Sequence, residues 1–228
     1  MSKIKAIAFD LDDTLLDTTN LIVPKAATNA CLQLINAGLT LSLDKCMKLR
    51  EELAKSMSHK EIFPHIAHQF GIESEIAIQS AIDCFYKPEI PENLIPFPDA
   101  LRNILRLKSK YAIYLVTSGD FSTQTKKINS MKITDIFKKV FIVDSLRNQK
   151  KSNAFIEIIE NERITPIELL SFGNRLSSEI RDAKKIGATT CYFAYGEHFG
   201  ETPQMPEDHP DYTIFEHKDF ISTCKLEI

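Results

Sequence analysis

The sequence has little of what marks secreted, membrane-spanning or nucleic-acid-binding chains. Its five cysteines, Cys31, Cys46, Cys84, Cys191 and Cys224, are scattered, odd in number and never in CxxC spacing. That pattern argues against a disulfide framework and for reduced thiols. No apolar run approaches membrane-spanning length, and no charged-then-apolar leader opens the chain. A soluble, cytoplasmic protein without membrane attachment is therefore expected. The formal net charge is only −3, so no broad basic surface for nucleic acid is advertised. No GxGxxG follows the first apolar run, which removes the main support for a dinucleotide-binding reading. What remains is ordinary globular material: 228 residues, 43% hydrophobic and 26% charged, enough for one domain with a smaller insert.

The most informative stretch is Ile4-Lys5-Ala6-Ile7-Ala8-Phe9-Asp10-Leu11-Asp12-Asp13-Thr14-Leu15-Leu16. Residues 4–9 have the length and residue types of a buried strand. The strand ends in three carboxylates within four residues. Alternate residues of an extended segment share a face, so Asp10 and Asp12 can point the same way while Leu11 packs elsewhere. Two carboxylates side by side repel, and a bound cation or a shared proton relieves them.

Beyond residue 17 the pattern changes. Helical periodicity runs over 21–37, 44–57, 60–70 and 75–86, with Gly38 and Gly71 as C-terminal stops, and no convincing strand lies between 18 and 90. Pro88, Pro91, Pro96 and Pro98 then punctuate a connector. From there helices and strands alternate. Helices are predicted over 99–108, 123–131, 154–161 and 179–186, and strands over 112–116, 140–143, 168–172, 189–193 and 212–214. Such alternation implies an α/β fold, a mostly parallel Rossmann-like sheet with helices on both faces. Ligands of such sheets bind beyond the carboxyl ends of the strands, where Asp10 falls. The segments 1–17 and 96–228 form the expected core domain, and 18–95 an all-helical one.

Three more stretches stand at expected strand or helix ends. Tyr114-Leu115-Val116-Thr117-Ser118-Gly119 offers a hydroxyl and backbone N–H groups that can cradle a phosphate oxygen. Lys150-Lys151 precedes a helix for which Ser152 is a good N-cap. Ser171-Phe172-Gly173-Asn174-Arg175-Leu176-Ser177-Ser178-Glu179 follows the fourth core strand.

Together these stretches, in this order, resemble the four motifs of the haloacid dehalogenase-like (HAD) superfamily. Asp10-Leu11-Asp12-Asp13-Thr14 is similar to its DxDxT. The resemblance implies a magnesium-dependent phosphomonoester hydrolase acting on a small phosphorylated metabolite. Asp10 would be the nucleophile, Asp12 the acid and base, and Thr117, Ser118, Gly119 and a lysine would hold the phosphoryl group. The family's usual spacing favours Lys150 as that lysine, with Lys151 the other candidate. Asp10, Asp12, Asn174 and Glu179 would hold Mg2+, although Asn174 stands where the family usually has aspartate. Asp12 points to phosphate chemistry, because dehalogenases of the superfamily lack the second aspartate. The helical insert would be the family's small cap, the molecule a monomer or homodimer. A catalytically weak regulatory protein and a phosphotransferase using the same aspartate are the alternatives. Within the insert, His59, His65 and His68 could face a substrate, 65 and 68 sharing one side of a helix. No cysteine or carboxylate stands beside them at zinc-ligand spacing. The acidic, proline-bearing stretch 201–211 is expected to be a solvated loop.

Overall fold

A computed structural model describes residues 4–144, 147 and 149–228. The chain divides into two compact units, one of Met1–Asp17 with Pro91–Ile228 and one of Thr18–Ile90. In chain order the elements are β1 (Ala6–Phe9), α1 (Thr18–Leu21), α2 (Val23–Asn36), α3 (Leu43–Ala54), α4 (His59–Gln69), α5 (Glu75–Tyr86), α6 (Pro98–Leu107), β2 (Ala112–Ser118) and α7 (Phe121–Met131). There follow β3 (Lys139–Val143), α8 (Lys151–Glu162), β4 (Leu169–Gly173), α9 (Arg181–Lys185), β5 (Thr189–Phe193), β6 (Tyr212–Ile214) and α10 (Phe220–Thr223).

The larger unit is built on one sheet in the order β3-β2-β1-β4-β5-β6, every pair parallel. The fold is α/β, as expected. β1 lies in the middle because its residues are apolar on both faces. Ala6 and Ala8 point into a cluster with Tyr114, Val116, Phe155 and Ile158, where their small size lets α8 approach closely. Phe9 points the other way, into an aromatic cluster with Phe172 and Phe220. Burying a phenylalanine fully is worth roughly 2 kcal/mol, so this face is a main anchor of the unit. Phe9 stands in register with Leu115 and Phe172. Asp10 therefore leaves the sheet one residue beyond that level, between β2 and β4, where the strand order turns outward in both directions. That is the position at which open parallel sheets bind ligands.

The smaller unit is helical throughout. The buried face of α2 is Ala26, Ala27, Ala30, Cys31 and Leu34, mostly small residues that let α5 pack closely along it. Ser58 and Glu61 form a capping box at the start of α4, the Ser58 backbone N–H donating to Glu61 Oε2 at 3.0 Å. His59 is buried, stacked on Phe85 at 3.8 Å and 2.8 Å from the buried Arg50. It is a packed core residue of its unit, covered by Phe85, Phe63 and Arg50. His65 and His68, one turn apart on that helix, are exposed.

The stretch 201–211 departs from the expected solvated loop. Asp208 is 1% exposed and accepts two hydrogen bonds from Arg181, at 2.6 and 2.7 Å. It also accepts from the backbone N–H groups of Gln204 and Met205. Asp211 pairs with Lys184 and with the Thr190 N–H and hydroxyl. The acids serve α9 and β5, which run before them in the chain. Among the described residues, no helix is long and apolar enough to cross a membrane.

Candidate active site

Asp10 is 6% exposed, and its backbone N–H donates to the Phe172 carbonyl, which fixes where the chain leaves β1. The loop folds tightly back: the Leu15 and Leu16 N–H groups return to the Leu11 carbonyl, and Asp13 takes a left-handed φ of 52°. The Thr14 hydroxyl lies 3.5 Å from Asp10 Oδ2. Lys151 Nζ donates to Asp10 Oδ1 and to Glu179 Oε1, each at 2.5 Å, with the lysine only 2% exposed.

Of the two candidate lysines, the structure brings Lys151 to Asp10 and not Lys150, which the family spacing favoured. The helix begins at Lys151, with Lys150 rather than Ser152 at the N-cap position. The reason is Asp182 of α9, whose carboxylate accepts from the Lys151 backbone N–H at 2.9 Å and so occupies the helix start. That contact turns Lys151 inward and leaves Lys150 exposed.

Glu179 reaches Lys151 because Gly173 has no side chain: a Cβ there would stand 2.4 Å from Glu179 Cγ. The second Glu179 oxygen accepts from the Arg175 N–H. Glu179, expected among the metal-holding residues, thus has one oxygen on Lys151 and the other on the N–H that closes the turn Leu176–Ile180. That turn is held from outside by Glu201, which accepts from the N–H groups of Leu176 and Ser177. Asn174 is buried, its amide donating to the Tyr195 carbonyl at 3.2 Å, which leaves Oδ1 as its acceptor.

On the opposite flank Thr117, fully buried at the end of β2, accepts a hydrogen bond from Gln124 Nε2 at 2.5 Å. The same amide donates to Asp12 Oδ2 at 2.8 Å, and Lys127 Nζ donates to Asp12 Oδ1 at 2.7 Å. Ser118 is the last, half-buried residue of β2. The Gly119 N–H, expected to face phosphate, donates to the Val143 carbonyl instead, because the β2–β3 ladder runs on to that residue.

The electrostatics follow from burial. Burial pushes the Asp10 carboxyl up to about 7; Lys151 pulls it down, and the charges of Glu179 and Asp12 add to the rise. For Glu179, burial is outweighed by Lys151, and the carboxyl is held below its ordinary range. Lys151 is likewise held above its ordinary range, Asp10 and Glu179 overcoming its desolvation. Two ammonium groups, of Lys127 and Lys151, thus stand among the carboxyl groups of Asp10, Asp12 and Glu179. The Asp10 carboxylate, the Asp12 carbonyl and the Asn174 Oδ1 left as acceptor are all oxygen donors. That is a hard donor set suited to magnesium, with water completing the shell. Among the described residues there is no cluster of three or more His, Cys, Asp or Glu at metal-binding spacing.

A carboxylate-bearing loop thus ends the central strand, with a lysine from a later helix on its first carboxylate. A family model described as haloacid dehalogenase-like hydrolase matches residues 7–193. The chain belongs to that family. A glyceraldehyde 3-phosphate phosphatase of Methanopyrus kandleri is 28% identical over 97% of both chains. Its counterpart in Pyrococcus abyssi is 31% identical over 85% of this chain and 83% of its own. Among solved structures, a HAD hydrolase of Bacillus subtilis bound to magnesium shares the fold at a TM-score of 0.68. It is 22% identical, with 100% of both chains covered. The chain is thus a HAD-family enzyme of the phosphatase type. Gln124, Lys127, Asp182 and Glu201 escaped the sequence reading. A weak signal existed for the first two: Gln124 and Lys127 interrupt, at i and i+3, the face that Ile128 and Met131 continue.

Proposed function

We propose that this phosphatase hydrolyses small aliphatic phosphomonoesters through an aspartyl-phosphate intermediate at Asp10, with magnesium as cofactor. The observation that carries it is Lys151, buried and shared between Asp10 and Glu179 at 2.5 Å each. Its partners keep it charged, so it offers a fixed cation beside the nucleophile as charge gathers on the phosphoryl oxygens. Asp10 Oδ would attack phosphorus, and the bond from phosphorus to the leaving oxygen would break as Asp12 gives that oxygen a proton. Asp12 would then take a proton from the water that attacks the aspartyl phosphate, returning Asp10 as a carboxylate and releasing inorganic phosphate. Thr117 would donate its hydroxyl hydrogen to a phosphoryl oxygen. Asp10, the Asp12 carbonyl and Asn174 would hold magnesium, which when bound screens carboxylate from phosphate. Asn174 supplies one negative charge less than aspartate would, so metal affinity is expected to be modest. Relatives that act on glyceraldehyde 3-phosphate support an aliphatic substrate of a few carbons. The helical unit, residues 18–90, is the proposed determinant of which one.

The test is hydrolysis of aryl and alkyl phosphates with and without chelator. Asp10→Asn should keep the unfolding midpoint and lose turnover, and EDTA should abolish activity reversibly. Turnover persisting in Asp10→Asn rejects the nucleophile.

A further inference from the structure

Helix α7 buries Thr123, Gln124, Lys127, Ile128 and Met131. Ile128 and Met131 are what a helix sets against a sheet. Gln124 and Lys127 are not: an amide at 1% exposure and an ammonium at 6% are expensive to desolvate, and apolar residues of similar size would pack at less cost. Both are directed at the same carboxylate. Lys127 Nζ lies 2.7 Å from Asp12 Oδ1, and Gln124 Nε2 lies 2.8 Å from Asp12 Oδ2 and 2.5 Å from Thr117 Oγ1.

Donor and acceptor roles narrow the meaning. A carboxylate accepts, so the amide must present its NH2 to Asp12, and its second hydrogen then goes to Thr117. The Thr117 oxygen is thereby an acceptor toward Gln124, and its own hydrogen is left to donate elsewhere. Gly119 keeps this amide in place: a Cβ there would stand 3.2 Å from Gln124 Cγ and Cδ, on a backbone with φ of +152°.

We infer that Gln124 and Lys127 are positioning residues: they hold Asp12 for proton transfer to the leaving oxygen and turn the Thr117 hydroxyl toward the phosphoryl group. This rests on the phosphatase reading above. Lys127 acts through Asp12, so its loss must matter most where the leaving group needs a proton. An alkyl phosphate needs one, whereas 2,4-dinitrophenyl phosphate releases 2,4-dinitrophenolate, an anion stable without a proton. The parameter to compare is kcat/KM, which reports the steps through phosphoryl transfer to Asp10.

Lys127→Met should lower kcat/KM for glycerol phosphate about a hundredfold but change that for 2,4-dinitrophenyl phosphate less than about threefold. Lys127→Arg, which keeps charge and donors, should recover most of the alkyl activity. In an Asp12→Asn background Lys127→Met should add no further loss, since the two act as one unit. Gln124→Met should weaken inhibition by inorganic phosphate about tenfold, the worth of one well-placed hydrogen bond. Equal losses on both esters, no recovery with Lys127→Arg, or additive losses with Asp12→Asn overturn the assignment while leaving the phosphatase reading intact. A wild type that hydrolyses neither ester overturns both. Should Lys127→Met fail to unfold cooperatively, Lys127→Arg and Gln124→Met decide the matter alone: wild-type phosphate inhibition in Gln124→Met refutes it.

Discussion

Two adjacent lysines, identical in charge and one residue apart, have opposite fates. Lys151 is buried against two carboxylates, and Lys150 is exposed at the N-cap. Lys151→Met should therefore reduce kcat at least about a hundredfold by removing the fixed cation from the phosphoryl group. Lys150→Met should leave kcat within about twofold, as surface substitutions away from special features generally do. Steady-state kinetics on one aryl phosphate separate the two, and a large loss in Lys150→Met would reverse the assignment. The choice was not legible locally because it is made by Asp182, 31 residues further on in the chain. Asp10, Asp12 and Thr117 were legible because each sits at the end of an apolar run whose length marks a strand. Gln124 and Lys127 were hidden for the opposite reason. On a helix of mixed polarity only the sheet's register tells which polar residues face inward.

Among the elements, α5 and β5 fall on the residues that periodicity assigned, 75–86 and 189–193, each having a strong pattern between clear stops. The fourth motif was harder. A single helix over 179–186 was expected, whereas a wide π turn, Leu176–Ile180, precedes the short α9. Side chains from elsewhere make that turn possible, Glu201 above all, and local periodicity carries no trace of them. The same holds for Asp208, whose grip on Arg181 pins α9 to a segment that composition alone marks as solvated. Removing one partner of a pair this buried leaves the other charge stranded. Asp208→Ala should cost about 3 kcal/mol of unfolding free energy. Urea denaturation would show it, and a loss below about 1 kcal/mol, the level of surface pairs, would contradict the burial argument.

At the scale of the whole molecule, acid should find a weak point at His217. Its ring sits 4.3 Å from that of Phe193 and 5.2 Å from that of Phe97, and burial pushes its pKa from 6.5 down to about 4. Asp99 and a hydrogen bond to the Thr14 backbone oppose burial without overcoming it. The unfolded chain therefore takes up a proton more readily than the folded one. The contribution is intact above about pH 6.5 and is lost as pH falls toward about 4, roughly 3 kcal/mol in all. Asp10 works in the opposite sense over part of this range, its folded pKa being raised, so the readout is the difference between His217→Gln and wild type. That difference should shift in favour of the variant between about pH 7.5 and about pH 4.5. A pH-independent difference would show that His217 does not titrate as a buried neutral ring. The placement of β1 has a consequence of another kind, in time. The strand is hydrogen-bonded on one side to β2 and on the other to β4, which ends at Gly173. On a ribosome it emerges before both neighbours and must wait for the later of them, on the order of ten seconds or more at ordinary rates of elongation. The helical unit, Thr18–Ile90, draws its internal contacts from one continuous run of chain and can fold during that wait. The strand that leads to Asp10 is thus made before the strands it pairs with and is among the last secured, its row of apolar residues waiting in the open.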